Sequence, residues 1–449
     1  MKILLKCPSR SRPQQLLATL SLYASMAARP DLMGIVISCD VDDTTMTGTD
    51  IQQKLFQVIN RFAWKAMYYG DSKTKIEACN ADIEKVDYAW DLIVLVSDDM
   101  IPEVRGYDNH IRQAARPDLD CILWFHDGFQ GHKLNTLSIY GRVMYNRLGC
   151  MYSSAYKSFY CDSELTDLCK GSLRDKTVYT PTCIIRHKHP MAGHAIGFDS
   201  LYARNQGYFE EDLRMYISRK TYEYDLSVLI PTLVERRAKC EALKAVIREK
   251  FARICPGLRL DITEALDNRE QSVGAKRRDL LRGARGKYSV FIDDDDEVTD
   301  AYFEDFLACF QAGHDVMRIR GRMGDHTFVH SNEYPFTGKM YMNGMFVRPP
   351  NHLNPMLSDI AKLVDFEDAI RGEDLKWTIV TAKVGLLRSE TRSDPSRIHY
   401  IYNVRGTVSQ STIDYQATHT YEEMVKTLLV PAPPKKKVMR LTSRGFVSE

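Results

Sequence analysis

Four consecutive carboxylates, residues 293–296, follow a run of β-branched and aromatic residues at 288–292. Such a run predicts a buried strand, and four acids at its end cannot all stay unpaired in a folded interior. A hard divalent cation, Mg²⁺ or Mn²⁺, prefers carboxylate oxygens and keeps coordination positions for the phosphates of a substrate. Because open α/β sheets bind ligands at the carboxyl ends of their strands, the position of these acids favours a metal site over a solvated acidic loop.

Three further predicted strands, at residues 34–39, 91–96 and 258–265, also lead into acids. These acids are Asp40 and Asp42, Asp98 and Asp99, and Asp267. The strands alternate with segments of helical periodicity, as in a mostly parallel sheet covered by helices. The sequence therefore predicts an α/β fold with the functional groups along one edge of the sheet.

Acidic helix starts, each followed by a histidine, occur in both halves of the chain. Glu373 and Asp374 begin a predicted helix, where the terminal dipole favours carboxylates, and His399 follows Asp374 by 25 residues (399 − 374). The first-half counterparts are Asp162, Glu164 and His187, the last two 23 residues apart (187 − 164). This repeated order predicts an internal duplication with its boundary near residues 215–225.

Composition narrows the class of protein. A chain of 449 residues is long for one hydrophobic core and favours two domains. The near balance of 61 basic and 59 acidic residues argues against bulk electrostatic binding to nucleic acid or membrane. The 11 cysteines form no CxxC pair and are odd in number, which favours reduced thiols and a cytoplasmic location. We expect neither a secretion signal nor a transmembrane segment.

The second half, from about Asp225 to about Tyr402, resembles family 2 nucleotide-sugar glycosyltransferases with the GT-A fold. The matching pieces are Pro231 after the opening strand, Asp267, residues 274–277, the DxD element in residues 293–296, and the "ED" element Gly372-Glu373-Asp374. The first half resembles the same fold more loosely, with Asp98-Asp99 in place of the DxD and Asp162/Glu164 in place of the "ED" acid. The resemblance implies two tandem GT-A-like (Rossmann-like) domains, residues 1–220 and 225–430, followed by a Pro/Lys-rich basic tail at 431–449.

The resemblance also implies roles for single residues. Asp267 would hold the base or ribose of a nucleotide, and Lys276 with Arg277 would lie along its diphosphate. Asp293 would stand nearer the ribose. The implied metal ligands are Asp293, Asp295 and His399, with Asp98, Asp99 and His187 as first-half counterparts. Asp40 and Asp42 would contact a nucleotide in the first half.

The chemistry that follows is metal-dependent, inverting transfer of a sugar from a nucleotide donor, with a UDP-sugar as the first choice. Asp374, beside Glu373, would be the general base that removes the proton of the acceptor hydroxyl, and Asp162/Glu164 would match it in the first half. The acceptor would be a carbohydrate or other small molecule, or a modified base in DNA. Residues 343–355 have the composition of an acceptor-side loop or of an ordinary connection.

Two other classes of function remain open from the sequence. Both domains could be non-catalytic nucleotide-binding or scaffolding modules, or the acids could serve a metal-dependent nucleotidyltransferase or nuclease. The basic tail, with Lys435, Lys436, Lys437, Arg440 and Arg444, is either a solvated terminus or an arm that contacts phosphates. Release of nucleoside diphosphate from a sugar nucleotide would separate these classes.

Overall fold

A computed structural model describes residues 1–72, 74–188, 199–403, 410–428, 430–431, 439–442 and 445–448. The chain divides into two compact units, Met1–Lys220 (unit 1) and Thr221–Glu449 (unit 2). Most of the predicted basic tail, including residues 435–437 and 444, lies outside the described residues. Among the helices that are described, none is long and apolar enough to cross a membrane.

Unit 1 alternates strands with helices. Its strands are β1 (Ile3–Ser9), β2 (Met33–Asp40), β3 (Trp64–Gly70), β4 (Leu92–Leu95), β5 (Met100–Pro102), β6 (Ile122–Phe125), β7 (Ile139–Gly141), β8 (Thr177–Thr180) and β9 (Ile185–His187). Its helices are α1 (Pro13–Met26), α2 (Thr49–Ile59), α3 (Lys75–Asn80), α4 (Tyr107–Ala114), α5 (Arg142–Leu148), α6 (Cys161–Lys170), α7 (Ser200–Gln206) and α8 (Phe209–Arg219).

Unit 2 repeats this alternation. Its strands are β10 (Tyr224–Leu233), β11 (Leu260–Asp267), β12 (Gly286–Phe291), β13 (Glu297–Val298), β14 (Val316–Met317), β15 (Ile319–Met323), β16 (His326–His330), β17 (Tyr341–Met342), β18 (Met345–Arg348), β19 (Met356–Leu357), β20 (Ala369–Arg371), β21 (Glu390–Thr391), β22 (Tyr400–Tyr402), β23 (Val430–Pro431), β24 (Met439–Thr442) and β25 (Gly445–Ser448). Its helices are α9 (Arg237–Ile254), α10 (Val273–Gly283), α11 (Asp300–Ala312), α12 (Ser358–Ala361), α13 (Glu373–Val384), α14 (Gln410–Thr418) and α15 (Tyr421–Leu428).

The main sheets of the two units share one topology over six strands, and unit 1 adds β3 at the edge. The order in unit 1 is β3-β2-β1-β4-β7-β6-β8, and in unit 2 it is β11-β10-β12-β19-β14-β21. In both, the two strands that lead into the predicted acids are parallel to the strand between them (β1 or β10), the next strand (β7 or β19) is antiparallel to both neighbours, and the last pair is parallel. The α/β prediction is confirmed, with an antiparallel strand inserted into each parallel-rich sheet.

The core of unit 1 lies on both faces of its sheet. Ile3, Leu5 and Cys7 of β1 pack into one hydrophobic cluster, whereas Leu4 packs into another. Successive side chains of a strand point to opposite faces, so this division requires apolar partners on both sides. The strand is therefore mostly apolar, as expected for a parallel sheet covered by helices, and the buried Lys6 interrupts the run.

Candidate functional site

Unit 2 contains a cavity of about 600 Å³ where β10 and β12 end. The lining includes Thr232, Arg236, Ser272, Lys276, Arg277, Asp293, Asp294 and Asp295. The cavity is therefore lined by basic residues and by the acidic turn after β12. It lies at the sheet edge where ligands bind in open α/β folds.

The side chains of the acidic turn alternate between exposed and buried. Asp294 is buried, accepts a hydrogen bond from Thr232 Oγ1 at 2.5 Å and pairs with Arg236 at 2.7 Å. The side chains of Asp293 and Asp295 are 24% and 28% exposed. The spacing of two residues that suggested a DxD element thus corresponds to the two carboxylates that remain accessible.

Two arginines supply positive charge to these accessible acids. Arg236 lies 3.1 Å from Asp295, and Arg277 lies 3.0 Å from Asp293. Arg277 is buried and also pairs with Glu373 at the start of α13. Burial raises the pKa of Glu373, although the neighbouring Arg277 opposes that rise. Arg277 therefore connects Asp293 of the acidic turn to Glu373 at the start of α13.

The helices that carry these residues begin with specific caps. Ser272 accepts a hydrogen bond from the Ala275 backbone N–H at 3.0 Å and begins α10, which places Lys276 and Arg277 in its first turns. Gly372 caps α13 with φ +78°, a left-handed conformation that glycine adopts without the steric cost of a Cβ. These caps fix where α10 and α13 begin, and therefore where Lys276, Arg277 and Glu373 lie.

Asp267 lies beside the cavity and does not line it. Its carboxylate forms an ion pair with Lys276, and Lys276 Nζ donates to the Thr232 carbonyl at 2.7 Å. The backbone N–H groups of Arg269 and Gln271 also donate to Asp267, at 3.1 and 2.8 Å. Asp267 therefore fixes Lys276 and the loop that leads into α10.

Asp374 stands at the start of α13, away from the lining of the cavity. Its side chain is 23% exposed, and Oδ2 lies 3.9 Å from Arg348 Nη1 and 3.9 Å from His352 Nδ1. Arg348 and His352 were not assigned roles from the sequence, although both fall in residues 343–355, whose composition fits an acceptor-side loop.

His399 is not brought to the acidic turn as a free ligand. It is fully buried, its Nε2 lies 2.8 Å from Asp305, and its Nδ1 accepts a hydrogen bond from the Arg320 backbone N–H at 2.8 Å. Both ring nitrogens are therefore engaged. This corrects the expectation that His399 completes the metal coordination.

Strand register explains why the two histidines differ. In unit 1, His187 lies opposite Met100, directly after Asp99. In unit 2 the residue opposite Glu297, directly after Asp296, is Ile401. His399 thus precedes the matching position by two residues, or about 7 Å of strand.

Asp296 is the acid that sequence reasoning left without a role. It accepts hydrogen bonds from Tyr400 Oη at 2.7 Å and from the Asn403 backbone N–H at 2.9 Å. Burial raises its pKa to about 7. Asn403 Nδ2 also donates to the Asp295 carbonyl at 2.7 Å, so residues 400–403 hold the turn from its outer side.

Asp293 and Asp295 fit a divalent cation only as a partial ligand set. Among the described residues, no group of three or more His, Cys, Asp or Glu side chains converges as a metal site. Mg²⁺ is commonly bound by one or two carboxylates together with substrate phosphates and water. The two accessible carboxylates match that smaller requirement when a diphosphate supplies the remaining oxygens.

Unit 1 has its own cavity, of about 490 Å³. Five of the residues predicted from the first half line it, namely Asp40, Asp98, Asp99, Asp162 and His187. The other two do not. Asp42 is exposed and pairs with Arg10 at 2.5 Å, and Glu164 pairs with Arg219 at 2.8 Å.

The pKa values of the two central acids of this cavity shift in opposite directions. Burial and then the neighbouring Asp99 raise the pKa of Asp98 to about 6, although Arg12 lies 3.3 Å away. Burial acts in the same direction on Asp99, but hydrogen bonding to His187 and Ser97 lowers the pKa of this carboxyl. Asp99 therefore loses its proton at a lower pH than Asp98.

No protein-family model and no curated protein matches the sequence. Similar solved structures include the mannosyltransferase PcManGT from Pyrobaculum calidifontis with GDP-Man and Mn²⁺, at 12% identity over 49% of this chain and 65% of that chain, with a TM-score of 0.38.

Two structures of TarS from S. aureus are also similar. For one, the identity is 12% over 57% of this chain and 47% of that chain (TM-score 0.34). For TarS 1-349 with UDP, the identity is 12% over 77% of this chain and 100% of that chain (TM-score 0.35). The chain thus spans less than two thirds of PcManGT and of the first TarS structure. It is similar to solved structures in complex with GDP-Man or UDP, one of which is a mannosyltransferase.

Proposed function

We propose that unit 2 transfers a sugar from a nucleotide-sugar donor to an acceptor hydroxyl, with Mn²⁺ or Mg²⁺ bound through the donor diphosphate. The observation that carries the proposal is the cavity in which Asp293 and Asp295 face Lys276, Arg277 and Arg236. Accessible carboxylates for a cation and basic groups for phosphates suit a metal–diphosphate complex. UDP-sugars are the first donors to test, followed by GDP-sugars.

The reaction forms one bond and breaks one. The acceptor oxygen bonds to the anomeric carbon as the bond from that carbon to the phosphate oxygen breaks, and the nucleoside diphosphate leaves with the electron pair. Asp374 takes the hydroxyl proton, and attack opposite the leaving group inverts the anomeric centre. A bound divalent cation supplies positive charge near the leaving diphosphate. Lys276, Arg277 and Arg236 add protein cations there.

The test is release of nucleoside diphosphate from UDP- and GDP-sugars with Mn²⁺ or Mg²⁺. We expect Asp295→Ala to abolish release, and Asp374→Asn to lower turnover by about 10²- to 10⁴-fold with donor affinity retained. Asp365→Asn is the control, because this exposed acid pairs with Arg282 outside the cavity lining.

The absence of nucleoside diphosphate release from every donor would contradict the proposal. Consumption of a nucleoside triphosphate would instead indicate a nucleotidyltransferase, and cleavage of nucleic acid a nuclease. Nucleotide binding without any turnover would indicate a scaffold. Carbohydrates and a duplex that contains a hydroxylated base serve as acceptors in the same assay.

A second transfer site in unit 1 is a further candidate, because its cavity also brings strand-end acids, Asp162 and His187 together. The Asp98→Ala/Asp99→Ala variant tests it. Loss of one donor's turnover with this variant and of another's with Asp295→Ala would mean two working sites. Loss only with Asp295→Ala would leave unit 1 as a binding module.

A further inference from the structure

Three side chains meet near the start of α13. Arg348 ends β18, His352 follows it in the chain, and both approach the same oxygen of Asp374 at 3.9 Å. This distance is too long for a direct hydrogen bond and leaves the carboxylate open to a further group. The Asp374 and Arg348 side chains are 23% and 24% exposed, so the group can come from solvent.

His352 carries a polar atom that has no partner in the described part of the chain. The residue is 6% exposed, and its Nδ1 makes no hydrogen bond there. Burial and the neighbouring Arg277 and Arg348 lower the pKa of His352 well below its ordinary value, which keeps the ring neutral. A neutral ring protonated at Nδ1 can donate to an oxygen placed between it and Asp374.

Arg348 differs from the two arginines of the cavity. Arg236 and Arg277 lie 2.7 Å and 3.0 Å from carboxylate oxygens, whereas the closest carboxylate to Arg348 within the described residues is that of Asp374, at 3.9 Å. Its guanidinium lies over the ring of the buried Tyr421, 5.9 Å from the centroid. This contact orients Arg348 and leaves its donor groups able to bind an anion.

We propose that Asp374, His352 and Arg348 form an acceptor subsite for a hydroxyl carried next to a phosphate group. The hydroxyl oxygen lies beside this 3.9 Å gap, within hydrogen-bond distance of both His352 Nδ1 and Asp374, and its proton passes to Asp374 as the oxygen bonds to the anomeric carbon. The guanidinium of Arg348 binds the phosphate, for which its planar fork is suited. This inference rests on the proposed transfer reaction and names the chemical class of its acceptor.

Matched acceptors test the role of Arg348. Glucose, glucose 6-phosphate and a DNA duplex with a hydroxymethylated base are compared with each donor that the wild-type protein uses. We expect Arg348→Gln to raise KM about 10- to 100-fold for the phosphate-bearing acceptor it normally uses, and to leave KM for glucose and for the donor unchanged. Preference for glucose 6-phosphate or for the duplex identifies the source of the phosphate.

Arg322→Gln is the matched control, because Arg322 is an exposed arginine on β15 of the same small sheet. We expect it to behave as the wild type. His352→Phe keeps an aromatic ring against Phe291, whose centroid lies 6.1 Å from that of His352, and removes the nitrogen. It is expected to lower kcat for neutral and phosphorylated acceptors alike, about 10- to 100-fold.

Calorimetric titration of the full chain with glucose 6-phosphate and with the duplex gives a readout that needs no turnover. Weaker binding of either ligand by Arg348→Gln, with no change in Arg322→Gln, supports the subsite. Binding that is absent, or that is unaffected by Arg348→Gln, overturns it. Diphosphate release that is the same with glucose, with glucose 6-phosphate and with the duplex would overturn this inference alone, whereas no release from any donor would refute the transfer reaction.

Discussion

Arg277→Met should destabilise unit 2 strongly, because it leaves buried negative charge without a partner. Arg277 contacts Asp293 at 3.0 Å and pairs with Glu373, whose side chain is only 4% exposed. Removing one partner of a buried ion pair costs about 3–5 kcal/mol. The lower end is expected here, since Asp293 stays partly hydrated and Glu373 can take up a proton.

The assay is hydrogen exchange in α10, which reports unit 2 separately from unit 1. Arg278→Met is the control on the same helix, because Arg278 pairs with the exposed Asp279 at 3.3 Å and such surface pairs contribute about 0–1 kcal/mol. The double variant Arg277→Met/Glu373→Gln should recover part of the lost stability. An Arg277→Met protein within about 1 kcal/mol of the Arg278→Met control would refute this reasoning.

Three further outcomes are expected from denaturation of the full chain. Gly274→Ala should cost about 1–3 kcal/mol, because a Cβ there would lie 1.9 Å from the Glu367 carbonyl oxygen. Trp377→Ala should cost about 3–5 kcal/mol, because this buried ring stacks on Phe366 at 4.8 Å, and Trp377→Phe should cost less. Burial lowers the pKa of Lys6 from 10.5 to about 8, so the folded state binds fewer protons between these values. The contribution of Lys6 to the stability of unit 1 should therefore rise by about 3 kcal/mol from pH 8 to 10.5, measured as the change with pH in the stability difference between the wild type and Lys6→Met.

Trp377 is a residue whose role the sequence alone does not determine. A tryptophan near a helix start suits either a sugar platform or the core, and the sequence does not separate the two. In the structure its Nε1 donates to the Val364 carbonyl at 2.9 Å and its ring is covered by Phe366, so it is a core residue. Burial of this kind depends on residues distant in the chain.

The sequence by itself determined the elements and the order of the acids. Strands buried on both faces are continuous apolar runs, and the acids that follow them must lie at one edge of a parallel sheet. For this reason the sequence predicts Asp98, Asp99 and residues 293–295 at a sheet edge, and in the structure they line the cavities of the two units. The duplicated order of acid, acidic helix start and histidine matches two sheets of the same topology.

Only the tertiary structure decided which polar groups meet. His399 contacts Asp305 because the register of its strand places it two residues before Ile401, the position in unit 2 that corresponds to His187 in unit 1. Register depends on pairing between distant segments. Likewise, Arg277 reaches Glu373 and Arg348 approaches Asp374 across long stretches of chain. Periodicity reports which face of an element is buried, whereas the partner of a charged side chain is set by how those elements pack.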